Sequence, residues 1–400
     1  MNLIVEFNAS RRYSHHWSYV NKYKTLIQEL DKPFEIWIPK NAHPDIISVL
    51  GSKTKAFLQS NVYGYERKEN FFNWFVVKLT DLLLQKSRDM FSRQKIEHLK
   101  NKLSKIYTNE PYKRIKSLCQ TNSELSLIFP TMDSLAFRLV ERVLKKGLMI
   151  ERICFRLGSG YKDSYKIDEI ETRILKLIDE FPDCDIRIGF ETYTHRQYLL
   201  DRNMPAEKLF WAPAPPTSMF IGERKKQKML TLGFLGVARP NKGFTEIPNL
   251  LKFLRAQNIS FQAFVQKAIY PWSGYLEAMQ EIEDFVTILP ANISQDQLDD
   301  VFKKIDILVL PYNIDNYKIA GSGLLFSAAD LNVPTFTKKG VAFEWDINKY
   351  CIGSIFEDDV DFVVQIKDFL YQRKQYNFTD YNSDRYLSVV DFLGLNPDKL

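Results

Sequence analysis

LTLGFLGVARPNKG, residues 230 to 243, is an apolar run that ends in a glycine and hands over to an arginine and a lysine. Leu230 to Val237 reads as a buried strand, and from Phe244 to Phe253 apolar residues return at helical spacing. Arg239 and Lys242 therefore fall on a strand-to-helix turn, beside a helix N-terminus whose free N–H groups and dipole attract an anion. Gly236 and Gly243 let the backbone come close to that anion. A diphosphate suits such a turn, and the plainer alternative is a surface turn with two solvated cations.

Working outward, alternation of short apolar runs with helical patterns fills the chain. Before the turn the runs are Leu3–Phe7, Phe34–Pro39, Leu125–Pro130, Ile150–Leu157, Asp185–Phe190 and Lys208–Pro213, with a helical pattern at Lys166–Glu180. After it come Phe261–Gln266, Phe285–Leu289, Ile307–Leu310 and Val333–Thr337, with helical patterns at Gln297–Lys304 and Asp361–Tyr371. Such alternation predicts parallel sheets covered by helices on both faces. Three prolines and a charge run in PAPPTSMFIGERKKQK, Pro213 to Lys228, interrupt the pattern and mark a linker. The expected domains are 1–215, a linker at 216–228, 229–375, and a tail at 376–400 that returns to the first domain.

The chain has 400 residues, 45% hydrophobic and 26% charged, enough for two or three domains with real cores and not a disordered composition. Cys119, Cys154, Cys184 and Cys351 are scattered without metal-ligand spacing, so a reducing compartment and free thiols are expected. No apolar run approaches the ~20 residues needed to cross a bilayer, and the apolar run LIVEF stands where a signal peptide would begin. The expected location is the cytoplasm, with peripheral attachment to the inner face of the cell membrane as a further possibility. A net charge of +6 is too mild to imply nucleic acid.

The basic excess is concentrated. Glu66 to Lys116 holds 13 Lys/Arg against 6 Asp/Glu, and NFFNWFVVKLTDLLL, Asn70 to Leu84, is embedded in it. Phe71, Phe72, Trp74 and Phe75 among cations suit an anionic membrane surface. The alternative is a helical hairpin packed on its own domain. Either way the segment, about 60–118, is an insertion in the alternating scheme.

A second glycine cluster, Gly321-Ser322-Gly323, follows a strand and opens a helical pattern, with Tyr317 just ahead of it. It is another candidate anion nest, on the carboxyl edge where parallel sheets bind ligands.

The order FLGVARPNKG, then LPANISQDQLDDVFKKIDILVLPY, then a glycine-bearing loop, then NVPTF resembles the C-terminal domain of GT-B-fold glycosyltransferases. The likeness is nearest to the large retaining family that includes bacterial polysaccharide and lipopolysaccharide transferases. It covers roughly Leu230 to Gly340; RIGFETYTHRQYL followed by FWAPAPP resembles the run into the interdomain hinge of such enzymes. The resemblance implies two Rossmann-like α/β domains facing across a cleft, the first binding the acceptor and the second a nucleotide sugar. It also implies a donor site of Gly236, Arg239, Lys242, Gly243, Tyr317, Gly321, Ser322, Gly323 and Ser327. Arg239 and Lys242 would hold the diphosphate, and Gly321, Ser322 and Gly323 would close over the phosphates or the sugar.

One departure bears on the chemistry. Retaining relatives commonly carry two glutamates eight positions apart; counted back from Pro334 these positions hold Ser327 and Ile319. Ribose recognition then falls to Ser327, to Asp330 or to another group, and the stereochemical outcome is not inherited.

Sugar transfer needs cations at the leaving diphosphate and a group that deprotonates the acceptor hydroxyl. Candidates for the second role follow strand ends: Arg11, His15 and His16 after the first strand, and Asp133 after the LIFPT run, where it could equally cap a helix. His195 sits on a helical pattern and is read as packed or surface. Asp183-Cys184-Asp185 has the Asp-x-Asp form of a metal site but precedes its strand where a metal pair should close one, so a cap-and-turn role is expected.

The expected activity is metal-independent transfer of a sugar from a nucleotide-sugar donor to a bacterial surface glycan, a lipid-linked precursor or a related acceptor. A nucleotide-sugar epimerase of the same architecture and a non-catalytic binding protein are the rivals.

Overall fold

A computed structural model describes residues 1–9, 15–58, 107–158, 167–216, 229–269 and 271–395. Arg11, most of the basic insertion with its aromatic run Asn70–Leu84, and the linker from 217 to 228 lie outside the described residues.

The strands are β1 Asn2–Val5, β2 Phe34–Pro39, β3 Thr54–Leu58, β4 Ser126–Phe129, β5 Arg152–Arg156, β6 Asp185–Phe190, β7 Leu209–Trp211, β8 Leu230–Phe234, β9 Phe261–Gln266, β10 Val286–Leu289, β11 Ile307–Leu310, β12 Thr335–Lys338 and β13 Gly353–Phe356. The helices are α1 His15–Glu29, α2 Pro44–Leu50, α3 Asn109–Thr121, α4 Ser134–Lys145, α5 Ile167–Glu180, α6 Tyr193–Leu200, α7 Ile247–Ala256, α8 Tyr275–Gln280, α9 Gln295–Phe302, α10 Ile314–Tyr317, α11 Gly323–Asp330, α12 Glu344–Tyr350, α13 Asp359–Leu370 and α14 Thr379–Leu393.

The chain folds into two compact units. Among the described residues, the first takes those up to Leu157, those from Ile167 to Gly189 and those from Phe392 on; the second runs from Phe190 to Asp391. One sheet has the order β3-β2-β1-β4-β5-β6-β7 and the other β10-β9-β8-β11-β12-β13. Central pairings are parallel in both, β1 with β2 and β4, and β8 with β9 and β11. Each order reverses once, between β1 and β4 in the first sheet and between β8 and β11 in the second. At such a switch point neighbouring crossover helices diverge and leave a crevice outside the strand carboxyl ends.

Composition explains the central strands. Leu3, Ile4, Leu127, Ile128, Ile153 and Phe155 in the first sheet, and Leu232, Phe234, Ile307 and Leu308 in the second, are fully buried. Runs without alternation mark strands covered on both faces. In the second unit Phe234, Val265, Val309 and Phe336 meet Leu251, Leu254 and Ile366 from α7 and α13 in one core.

Two strands carry no sequence signal. TKAFL in β3 has a lysine and no apolar run, and GSIF in β13 opens on a glycine. A methyl group on Gly353 would lie 1.8 Å from the Thr335 carbonyl oxygen, so that glycine is required by the close approach of β12.

The 379–393 stretch, expected only as a tail, is a full helix, and Arg385 on it explains why it docks. Its guanidinium is fully buried and donates to the Ala214 carbonyl, to Asn382 Oδ1 at 2.8 Å and to Asp330 Oδ1 at 2.9 Å. The last described residues pack on the first unit, where Arg152 donates to the Leu393 carbonyl oxygen at 3.2 Å.

Replacing Arg385 by Ala strands the Asp330 carboxylate in the core, so unfolding free energy should fall by about 3–5 kcal/mol. The double change Arg385→Met with Asp330→Leu should recover most of it in denaturant titrations. Equal losses in the single and double variants would show that the pair does not act as a unit.

Candidate functional site

In the second unit the β8–β11 crevice gathers most of the expected donor residues. β8 stops at Phe234, three residues earlier than the apolar run suggests, because Gly236 turns the chain at φ 86°. Its N–H donates to Gln266 Oε1 at 2.7 Å, and Gln266 Nε2 donates to the Ala291 carbonyl at 2.7 Å. Gly236 is thus no phosphate donor in this state. Its missing side chain makes room instead: a methyl group there would come 2.9 Å from Lys242 Nζ and 2.9 Å from Leu324.

Arg239 opens a 3-10 turn, Pro240–Lys242, that ends on Gly243 at φ 69°. A methyl group on Gly243 would sit 1.6 Å from the Pro311 carbonyl oxygen, and Asn313 N–H donates to the Asn241 carbonyl at 3.2 Å. The β8 turn is in this way seated on the carboxyl end of β11. The expectation that Arg239 and Lys242 flank the next helix is corrected here. α7 starts at Ile247, because the left-handed Gly243 breaks the chain direction first, and its preceding residue Glu246 pairs with Lys338 at 2.5 Å.

The turn holds its lysine inward. Lys242 Nζ lies 5.9 Å from the Tyr312 ring centroid, and neither Lys242 nor the exposed Arg239 has a carboxylate partner among the described residues. Loss of water, helped by the Arg239 charge, pulls the Lys242 pKa down from the usual lysine value to about 8. The Tyr317 ring lies tilted against Tyr312, centroids 4.1 Å apart, and burial pushes the Tyr317 phenol up to about 12.

Ser322 precedes α11, which opens at Gly323. Its hydroxyl stands 3.5 Å from the Tyr312 hydroxyl and does not cap the helix. Gly321 N–H donates to Glu191 Oε2 at 3.3 Å. Ser327 turns its hydroxyl back to the Gly323 carbonyl at 3.1 Å. Asp330, the other ribose candidate, is committed to Arg385 in the core.

Glu191 carried no role in the sequence reading, and neither did Gln266. A carboxylate directly after the apolar RIGF run was the one available signal for Glu191; nothing in FQAFVQ distinguishes Gln266 from a strand end. His195 is fully buried, with its N–H bonded to the Thr192 hydroxyl that caps α6.

The first unit has its own group at the β1–β4 crevice. Glu6, just past β1, accepts the Asn8 N–H at 2.9 Å; Asn8 Nδ2 donates to Asp133 Oδ2 at 2.9 Å. Asp133 Oδ1 accepts the Ala136 N–H at 2.8 Å, so Asp133 does cap α4. Arg156, buried at the end of β5, donates to the Pro130 carbonyl and lies 3.9 Å over the Tyr19 ring. Burial, with the Asp133 charge adding to it, raises the Glu6 pKa to about 8, against the Asn8, Thr131 and Arg156 contributions. His15 and His16 open α1; their side chains lie outside the described residues.

Asp185 heads β6, at the amino edge, and its Oδ2 accepts from Arg152 at 2.9 Å and Arg187 at 2.8 Å. Among the described residues no three His, Cys, Asp or Glu side chains gather as metal ligands, and no helix is long and apolar enough to cross a membrane.

No family model and no curated protein matches the sequence. Solved structures match along nearly its whole length. The lipopolysaccharide outer core galactosyltransferase WaaB is 12% identical at a TM-score of 0.56, with 100% of each chain covered. HepE of Anabaena, solved with UDP and glucose, is 9% identical at 0.60, covering 98% of this chain and 97% of that one. A putative UDP-N-acetylglucosamine 2-epimerase from Listeria monocytogenes is 10% identical at 0.58, covering 98% and 93%. The shared feature is the fold: two Rossmann-like α/β domains, the GT-B architecture of glycosyltransferases.

Glu6 makes a stability prediction. Between about pH 4.5 and pH 8 the folded chain keeps a proton that the unfolded chain has lost, so stability should fall as pH rises through that window and be fully penalised above it. Glu6→Gln should flatten that slope in thermal melts from pH 5 to 9. An unchanged slope would show that Glu6 ionises normally.

Proposed function

We propose that the chain is a glycosyltransferase: the second unit binds a nucleotide sugar, and the first binds the acceptor whose hydroxyl takes the sugar. The observation that carries this is Lys242. An ammonium pressed against Gly236, largely out of water and without a carboxylate partner among the described residues, costs the fold free energy that a bound anion returns. Arg239 beside it adds a second positive charge, and a diphosphate is the anion of matching size and valence. The GT-B fold supports the reading, as does a neighbour solved with UDP and glucose.

In the proposed reaction the bond from the sugar to the diphosphate breaks. Charge grows on the departing oxygen, where Arg239 and Lys242 stabilise it more in the transition state than before. Asp133 is the candidate to take the acceptor proton, and its link through Asn8 to Glu6 fixes its carboxylate. The acceptor class is a bacterial surface glycan or its lipid-linked precursor. Because cations of the chain supply the counter-charge, transfer is expected to run without metal.

Arg239→Ala should lower kcat/KM by tens to hundreds of fold, equivalent to about 2–4 kcal/mol. Lys242→Met should abolish transfer yet stabilise the fold at pH 7 by roughly 1–3 kcal/mol, because the penalty on its charged form is fully present below pH 8. Activity should survive excess chelator. Unchanged kcat/KM in both variants would remove this turn from the site; epimerised sugar released without acceptor would point to the rival chemistry.

A further inference from the structure

Beside α12 the second unit holds an open cavity of about 640 Å3, within the size range of small-ligand sites. Trp345, Asn348 and Lys349, three and four positions apart on that helix, line it together with Glu344 and with Thr194 of α6. Neither Arg239 nor Lys242 is among its lining residues. The loop that forms its wall is tied at three points. Gly340 N–H donates to Glu344 Oε2 at 2.5 Å, Ala342 N–H to the Tyr317 carbonyl at 2.8 Å, and Thr194 Oγ1 to the Ala342 carbonyl at 3.4 Å. A wall built in advance spares a ligand the cost of ordering it.

Trp345 is 38% exposed, although Ile347 and Tyr350 on the same short helix are buried. Its ring is nevertheless braced. Tyr193 lies against it with centroids 3.8 Å apart, Lys349 Nζ stands 4.7 Å from its centroid, and the Trp211 ring follows Tyr193 at 5.9 Å. A braced indole that stays partly in water offers apolar surface at little further loss of side-chain freedom. The groups around it are polar and of several kinds. Lys349 Nζ donates to the Tyr350 hydroxyl at 2.8 Å and stands 4.0 Å from Asp384 Oδ2, while Glu344 brings a carboxylate. The exposed Asn348 amide makes no hydrogen bond among the described residues.

One ammonium and one carboxylate leave this lining neutral, and Lys349 already faces Asp384, so an anion such as phosphate gains little here. A lipid chain would cover the Asn348 amide and both charges without pairing them. A neutral sugar chain meets both demands. Its C–H faces rest on the indole; its hydroxyls donate to Glu344 and Asn348 Oδ1 and accept from Lys349 and Asn348 Nδ2. Resting on the glycosyltransferase reading above, we propose that this cavity binds a neutral stretch of the acceptor glycan, at sugars other than the one that reacts, with Trp345 and Asn348 as its main contacts. Long acceptors then bind by more than the sugar they present for transfer.

The test applies the full chain to an array of neutral oligosaccharides and phosphorylated sugars, with and without excess UDP-glucose. Wild type should be retained on neutral oligosaccharides, and UDP-glucose should not release it. Trp345→Ala and Asn348→Ala should each cut that retention by about tenfold or more. A Trp345→Ala chain that melts early leaves Asn348→Ala, at an exposed position, to decide. Retention on phosphorylated sugars alone would make the cavity an anion site through Lys349, and release by UDP-glucose would put the sugars at the Arg239 turn. Retention unchanged in both variants, or none on any neutral oligosaccharide, would leave the cavity without a glycan. Each of these four results overturns the inference. Calorimetry of wild type with UDP-glucose and ADP-glucose judges the donor reading separately, so either can fail while the other stands.

Discussion

The rest of the second unit's site depends on one contact, Gly243 against the carbonyl of Pro311. With 1.6 Å between that oxygen and any side chain placed at 243, the turn after β8 is seated on the end of β11 only because the residue is glycine. The left-handed conformation there ends the Pro240–Lys242 turn and sends the chain toward α7. Lys242, one residue earlier, is left pointing back at Gly236, where the absence of a second side chain gives its ammonium a place. Gln266 holds that glycine with a 2.7 Å bond. Two glycines and a buried amide thus force a cation into a poorly hydrated position. The fold bears that cost with no carboxylate to relieve it among the described residues, and the anion of the proposed function would offset it.

The two units repeat one topology and differ in the sign of charge they place at it. Each sheet reverses order between its first strand and the next one across, and each reversal opens a crevice. In the first unit Glu6 and Asp133 meet there through Asn8, two carboxyls of which one keeps a proton well above its usual range. In the second unit Lys242 and Arg239 meet there. In the proposed reaction the carboxylate of the first unit takes a proton and the cation pair of the second takes a diphosphate.

Much of this was legible in the residues. Runs such as LIVEF and DILVL announce strands buried on both faces, and the glycine-to-lysine turn announces its own position, because buried parallel strands and tight turns use few residue types. What stayed hidden depends on distance in the chain. β13 opens on Gly353, whose requirement lies in Thr335. Glu191 and Gly321 are 130 residues apart, and Asp330 looks free until Arg385 reaches it from α14. The helix expected at Phe244 began at Ile247 because local periodicity does not see the Pro311 carbonyl. Side-chain pairing across the fold, not local pattern, separates the residues of the site from those of the core.

The central claim is that the Lys242 ammonium awaits an anion, and proton uptake measures it directly. Its pKa of about 8 in the free chain should rise when a diphosphate arrives. Titrating the protein with UDP-glucose at pH 8 in buffers of different ionisation enthalpy should show about half a proton taken up per ligand bound, and none in Lys242→Met. Binding by wild type with no dependence on the buffer would contradict the account, because the ligand would then have come to rest somewhere else.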